Sequence, residues 1–205
     1  MMQSIKAIIF DLGGVLLNLD FKKVSDAFKV LGVDTFDEMY SQSKVNMLFE
    51  NLEVGKISEE EFCKSINIHT GKSILPNDIT AAWNSILLDF RTESLAHLKI
   101  LKNKYRLFLL SNTNGIHMQA FNKIFDKTIS QGTFNSFFDK AYYSHEIGLR
   151  KPDAGAYLYV LNENNLLPRE TLFIDDTLKN IEGARAVGLQ TIFLSDGKKI
   201  EDLGL

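Results

Sequence analysis

Four short apolar runs each hand the chain to a polar side chain capable of chemistry. Residues 7–10 (AIIF) end in Asp11, 107–110 (LFLL) in Ser111, 172–174 (LFI) in the pair Asp175–Asp176, and 191–194 (TIFL) in Ser195. Lys151 follows a fifth, weaker run, KAYYS at 140–144. Three carboxylates gathered in one crevice repel, and without a cation at least one is driven toward its neutral form. The donors are all oxygen, with no cluster of histidine and cysteine beside them, which selects magnesium over zinc or iron. Ser111 and Asn112 lead into NTNGIHMQAF, so a hydroxyl, an amide and the free N–H groups of a helix start face one place and make an anion site. Lys151 adds a point cation to such a crevice. With metal, carboxylate and anion pocket together, Asp11 is placed to attack phosphorus, forming an aspartyl phosphate that water then hydrolyses. The plain alternative is that strand-end aspartates and serines cap the helices after them, and that Lys151 is a solvated surface residue.

These residues meet only if the runs are strands of one sheet. Continuous rather than alternating apolarity suits strands covered on both faces, hence a parallel sheet. Helical segments separate them at 92–104, with Leu95, Leu98 and Leu101 on one stripe, at 153–164, and at 177–187, closed by Gly188. Pro152, just after Lys151, suits a first helical position. The alternation predicts an α/β fold with a doubly wound parallel sheet, whose ligands sit beyond the strands' C-terminal ends where strand order reverses. Residues 18–91 read differently. FKKVSDAFKVL spaces Phe21, Val24, Phe28 and Leu31 helically, and Ser58 with Glu61 forms a capping-box signature. The chain is therefore expected to divide into a sheet unit, 1–17 with 92–205, and a small all-α insertion, 18–91, on short hinges near Asn18 and Arg91.

Composition limits the partners. The 205 residues, 45% hydrophobic, suffice for one full core and a smaller appended unit. A net charge of −3 gives no general attraction for nucleic acid or an anionic membrane, so an anionic small molecule must be captured locally. No apolar run approaches the ~18 residues of a spanning helix, and the N-terminus lacks a signal-type region. The lone cysteine, Cys63, has no companion for a disulfide or a metal. These features predict a cytoplasmic protein in a reducing compartment.

FDLGGVLLNLD, LLSNTN, LRKPD and FIDDTLKNIEGARAVG, in that order, resemble the four motifs of the haloacid dehalogenase superfamily of phosphohydrolases. The resemblance covers residues 7 to about 194 and is closest to the alpha-D-glucose-1-phosphate phosphatase branch, whose first motif also has glycine where most members have a second aspartate. It implies a Rossmann-like core and a small helical cap that closes over the substrate. It also implies Asp11 as nucleophile and metal ligand, the Gly13 carbonyl and Asp176 as further magnesium ligands, and Asp175 as ligand or outer-shell partner. Ser111 and Asn112 would hold the phosphate, and Lys151 would bridge it to Asp11. The expected activity is magnesium-dependent hydrolysis of a small phosphomonoester such as a hexose 1-phosphate. At Gly13 the usual acid/base is missing; Asp20, His117 and His145 are the candidates to replace it, each with a structural reading as cap or polar surface residue. Two other readings compete: a metal-free 2-haloacid dehalogenase, opposed by the Asp175–Asp176 pair, and a non-catalytic phosphometabolite-binding protein in which Gly13 marks lost chemistry.

Overall fold

In chain order the first elements are β1 (Ala7–Phe10), β2 (Leu17–Leu19), and helices α1 (Phe21–Val30), α2 (Phe36–Ser41), α3 (Met47–Glu53), α4 (Glu59–Thr70) and α5 (Pro76–Asn84). Then follow β3 (Leu87–Phe90), α6 (Thr92–Leu101), β4 (Arg106–Ser111), α7 (Gly115–Thr128), β5 (Lys140–Tyr143) and the single turn α8 (Ser144–Ile147). Helix α9 (Ala154–Glu163), β6 (Thr171–Asp175), α10 (Leu178–Ala186) and β7 (Gln190–Phe193) complete the chain. The computed structural model describes residues 4–41, 47–129, 132–195 and 197–205.

Every predicted run is a strand of one parallel sheet, in the order β5-β4-β1-β6-β7. The α/β expectation holds. Because side chains alternate along a strand, β1 sends Ile8 and Phe10 into the layer under α6 and α7, and Ala7 and Ile9 into the layer under α9 and α10. All four are buried, which explains the unbroken apolar run. Leu95, Leu98 and Leu101 form the buried stripe of α6 as read. From β1 the chain builds outward through β4 and β5, then returns to the other side of β1 with β6 and β7. That reversal puts the C-terminal end of β1, and Asp11, at the switch point.

Helices α1–α5 surround a separate apolar cluster containing Val24, Phe28, Phe49, Phe62, Ile66 and Trp83, joined by Ile116 of α7. The Ser58–Glu61 capping box starts α4 as predicted. The segments at both ends of this helical stretch, β2 and β3, pair antiparallel. Arg91 ties them further: its Nε donates to Asn18 Oδ1 at 2.7 Å and its Nη1 to the Val15 carbonyl at 3.3 Å. The ribbon was not legible in sequence, since strands of 3 and 4 residues carry too little pattern.

Three local readings are corrected. Phe21 is exposed, because α1 buries only the Val24–Phe28 side of its stripe. Phe193 is also exposed, since β7 is an edge strand rather than one covered on both faces. Helix α9 begins at Ala154 with Asp153 in the N-cap position, so Pro152 lies outside it, in a cis peptide bond with Lys151.

Candidate active site

Asp11 leaves β1 with its N–H bonded to the Ile174 carbonyl, at the junction of β1 and β6. Lys151 reaches the same point from the loop before α9. Its buried Nζ lies 2.7 Å from Asp11 Oδ1 and 2.8 Å from Asp175 Oδ2. Burial works against the ammonium, but the Asp11 and Asp175 carboxylates outweigh it and hold the lysine above its ordinary pKa. The solvated-surface reading of Lys151 is therefore excluded by 1% exposure.

One ammonium does not balance three acids. Carboxylate oxygens of Asp11, Asp175 and Asp176 lie within 4.8 Å of one another. Burial first, and then the Asp175 and Asp176 charges against the pull of Lys151, push Asp11 up to about 7. A carboxylate so destabilised is a site asking for a second cation, and an all-oxygen donor set fits magnesium. The two members of the pair are not equivalent. Asp175 is fully buried and accepts from Lys151, from Thr177 N at 2.7 Å, and from Asn180 Nδ2 at 3.2 and 3.0 Å, so both its oxygens are engaged. Asp176 is exposed and lines the cavity above Asp11.

That cavity, about 650 Å³, collects Asp11, Gly13, Ser111, Asn112, Lys151 and Asp176 at its floor. Ser111 ends β4 and is buried. Asn112 is employed differently from the expectation. Its Oδ1 accepts the Lys151 N–H at 2.9 Å and its Nδ2 donates to the Lys151 carbonyl at 2.8 Å, so its amide clamps the lysine's main chain. Helix α7 also starts three residues beyond Asn112, at Gly115, where Asn114 caps it by accepting the His117 N–H.

Of the candidates to replace an acid at Gly13, Asp20 caps α1 through Lys22 N and Lys23 N, and His145 is not among the cavity residues. His117 does line the cavity, stacked on Trp83 with its Nδ1 2.9 Å from Asn84 Oδ1. Burial pushes it down to about 3, so it is neutral at pH 7 and has no proton to give beyond that bond. A Cβ at Gly13 would stand 2.7 Å from Leu19 Cδ1, the far end of a side chain in the β2–β3 ribbon that can turn aside.

The sequence reading missed the residues that wall the cavity. Glu50 and Glu53 of α3, Arg150, and Trp83 of α5 all line it. It also missed Gly14, at φ 70°, where a Cβ would overlap Asp176 Oδ2. The doubled glycine after Asp11 was the available signal, since the second must take a backbone shape that L side chains rarely adopt. Gly14→Ala is expected to fold, to displace Asp176, and to weaken magnesium binding by roughly 10-fold to 100-fold, the range seen when a ligand's support is removed. Titration calorimetry with magnesium checks it; wild-type affinity would mean that Asp176 is free to move aside at no loss.

Fold and site together are those of an α/β enzyme with an acidic, cation-seeking centre at the switch point of its sheet. The chain belongs to the haloacid dehalogenase-like hydrolases, whose sequence profile matches residues 5–188. It is 31% identical, over 94% of its length and 93% of the relative's, to a D-ribitol-5-phosphate phosphatase of Bacteroides thetaiotaomicron. It is 29% identical, over 96% and 93%, to a sesquiterpene phosphatase of Aspergillus oryzae. The solved structure of a family enzyme from Bacteroides thetaiotaomicron, in complex with magnesium and inorganic phosphate, superposes with a TM-score of 0.88 at 34% identity, covering 98% of this chain and 99% of that one. The chain is a hydrolase that acts on phosphate esters, as do the two phosphatases it is similar to in sequence. Among the described residues no helix is long and apolar enough to cross a membrane.

Proposed function

We propose that the protein is a magnesium-dependent phosphatase of small polyhydroxylated phosphomonoesters, that is, sugar or sugar-alcohol phosphates. The observation that carries this reading is the cavity itself: an aspartate paired with a buried lysine at the floor, and a wall containing Glu50, Glu53, Arg150 and His117. Two carboxylates, a guanidinium and a neutral imidazole suit hydroxyl groups. A terpenyl chain would strip water from this charged cluster and offer it no hydrogen bond, even though Arg150, Glu50 and Glu53 are paired with one another. The charged wall favours a polyhydroxylated ester, like that of the ribitol-phosphate relative, over a terpenyl one. The glycine at position 13 keeps the alpha-D-glucose-1-phosphate phosphatase branch as a finer possibility within the same class. The single buried thiol, Cys63, suits a reducing cytoplasm.

In this reading Asp11, Asp176 and the Gly13 carbonyl would hold magnesium, which would offset charge so that one anion can approach another. Asp175 supports Lys151 and the turn at Thr177. Ser111 and the Asn112 N–H receive the phosphate, and Lys151 neutralises it beside Asp11. The Asp11 carboxylate attacks phosphorus; the Asp11 O–P bond forms as the ester P–O bond breaks, and the departing oxygen takes its proton from water. Water then attacks the aspartyl phosphate, releasing inorganic phosphate and restoring the carboxylate. With no acid at position 13, good leaving groups are favoured, because proton assistance is typically worth ~10² to 10⁴ in rate.

The test is phosphate release, with magnesium and with EDTA, from ribitol 5-phosphate, glucose 1-phosphate, glucose 6-phosphate, p-nitrophenyl phosphate and farnesyl phosphate. Activity is expected only with magnesium, with kcat higher on glucose 1-phosphate than on glucose 6-phosphate, and with farnesyl phosphate poorest in kcat/KM. Undiminished turnover in EDTA, or a preference for farnesyl phosphate, would overturn the reading.

A further inference from the structure

Residues 150 and 151 are consecutive, and their side chains serve opposite sides of the cavity. Lys151 goes down to Asp11 and Asp175. Arg150 goes up to α3: its Nη1 lies 2.9 Å from Glu50 Oε1, while its Nη2 and Nε lie 2.9 and 3.0 Å from Glu53 Oε2. The guanidinium therefore spans two carboxylates one helical turn apart, a fork geometry that lysine cannot reproduce. These groups are not a surface decoration. Glu53 and Arg150 keep only 20% and 27% of their side-chain exposure, and all three residues line the cavity that holds Asp11.

A second contact seats the same helix. Just past α3, Gly55 passes so close to the His145 carbonyl of α8 that a Cβ at 55 would overlap it, and Gly55 holds φ 68°. Helix α3 thus meets the sheet unit through Arg150 and through a bare-backbone approach, both on the loop system that carries Lys151. From the other side, the Asn112 amide grips the Lys151 main chain at both its N–H and its carbonyl. The lysine's backbone is held between the end of β4 and the residue that anchors α3.

We propose that Arg150 is a positioning residue that makes the seating of α3 over the cavity and the placement of Lys151 a single event. Its side-chain ion pairs run to Glu50 and Glu53. By holding Glu50 and Glu53 it keeps α3 down as the cavity's wall, and by its peptide link to Lys151 it fixes the backbone from which the ammonium reaches Asp11. When the fork is lost, α3 is free to lift, water enters around the leaving group, and the lysine's reach is set by Asn112 alone. The inference rests on the phosphatase reading for its kinetic consequence, but the coupling between α3 and residues 150–153 is a property of the fold.

The test uses the full chain with magnesium and p-nitrophenyl phosphate, comparing wild type with Arg150→Ala, Arg150→Lys, Glu53→Gln and the double variant Arg150→Ala/Glu53→Gln, and measures amide hydrogen exchange in each. Arg150→Ala is expected to lower kcat/KM by roughly 10²-fold, the loss that a misplacement of about 1 Å produces. Arg150→Lys should recover little of it. The double variant should be no worse than Arg150→Ala, since both substitutions break one fork. Exchange should rise together at 47–53 and 150–153. An Arg150→Ala variant with wild-type kcat/KM per folded molecule, additive losses in the double variant, or faster exchange confined to one of the two segments would overturn the proposal. A wild type without turnover would instead remove the phosphatase reading, and the exchange data would still decide the coupling.

Discussion

Asp11→Asn is expected to fold and bind phosphate yet lose turnover by on the order of 10⁴-fold or more, the scale on which deleting a covalent nucleophile acts. The amide keeps the shape of the carboxylate, and Lys151 keeps its second partner, Asp175, at 2.8 Å. The buried ammonium is therefore not stranded, and stability should stay near wild type. Rapid acid quench during turnover should trap an acyl phosphate on the wild type and none on the variant. A variant still turning over near the wild-type rate would mean that phosphorus is attacked by water directly, with Asp11 only a ligand.

Lys151→Met separates support from chemistry in the opposite way. Methionine fills much of the same space in a position with 1% exposure but leaves Asp11 and Asp175 without their shared cation. Removing one partner of a buried ion pair costs about 3–5 kcal/mol, and loss of a charge aimed at the transferring group costs roughly 10²- to 10³-fold in kcat. Both effects are expected together, read by urea unfolding and by kcat. Added magnesium should return part of the stability, because a second cation meets the same three carboxylates. Unchanged unfolding in the absence of magnesium would show that the two aspartates accept protons without penalty, and the argument for a required cation from this cluster would fail.

The difference between these two variants marks how far the residues could be read before the fold was known. Asp11, Ser111, Asp175 and Asp176 were legible because they follow apolar runs, and a strand of a parallel sheet advertises itself by unbroken apolarity, here over 3 or 4 residues. Their order along the chain carried the family likeness. Lys151 was legible only from its motif, since its burial depends on two carboxylates 140 and 24 residues away, and no local pattern reports such a meeting. Asn112 illustrates the limit well. Its identity suggested a phosphate ligand, but its amide found the Lys151 backbone, 39 residues on, through the pairing of β4 with β5.

The wall of the cavity lay further out of reach. Glu50, Glu53 and Arg150 stand in no motif; it is the packing of α3 against α8 that turns them toward each other. His117, in sequence a candidate acid or a polar surface residue, instead stacks on Trp83 at the cavity edge because α5 meets α7 there. The aspartates and the serine at the floor follow from run-ends, which are properties of a few neighbouring residues, so the amino-acid order alone carries them. The choice of what may sit above that floor follows from which faces of separate helices are brought together, and that is decided by long-range packing free energy, which no stretch of the chain holds locally.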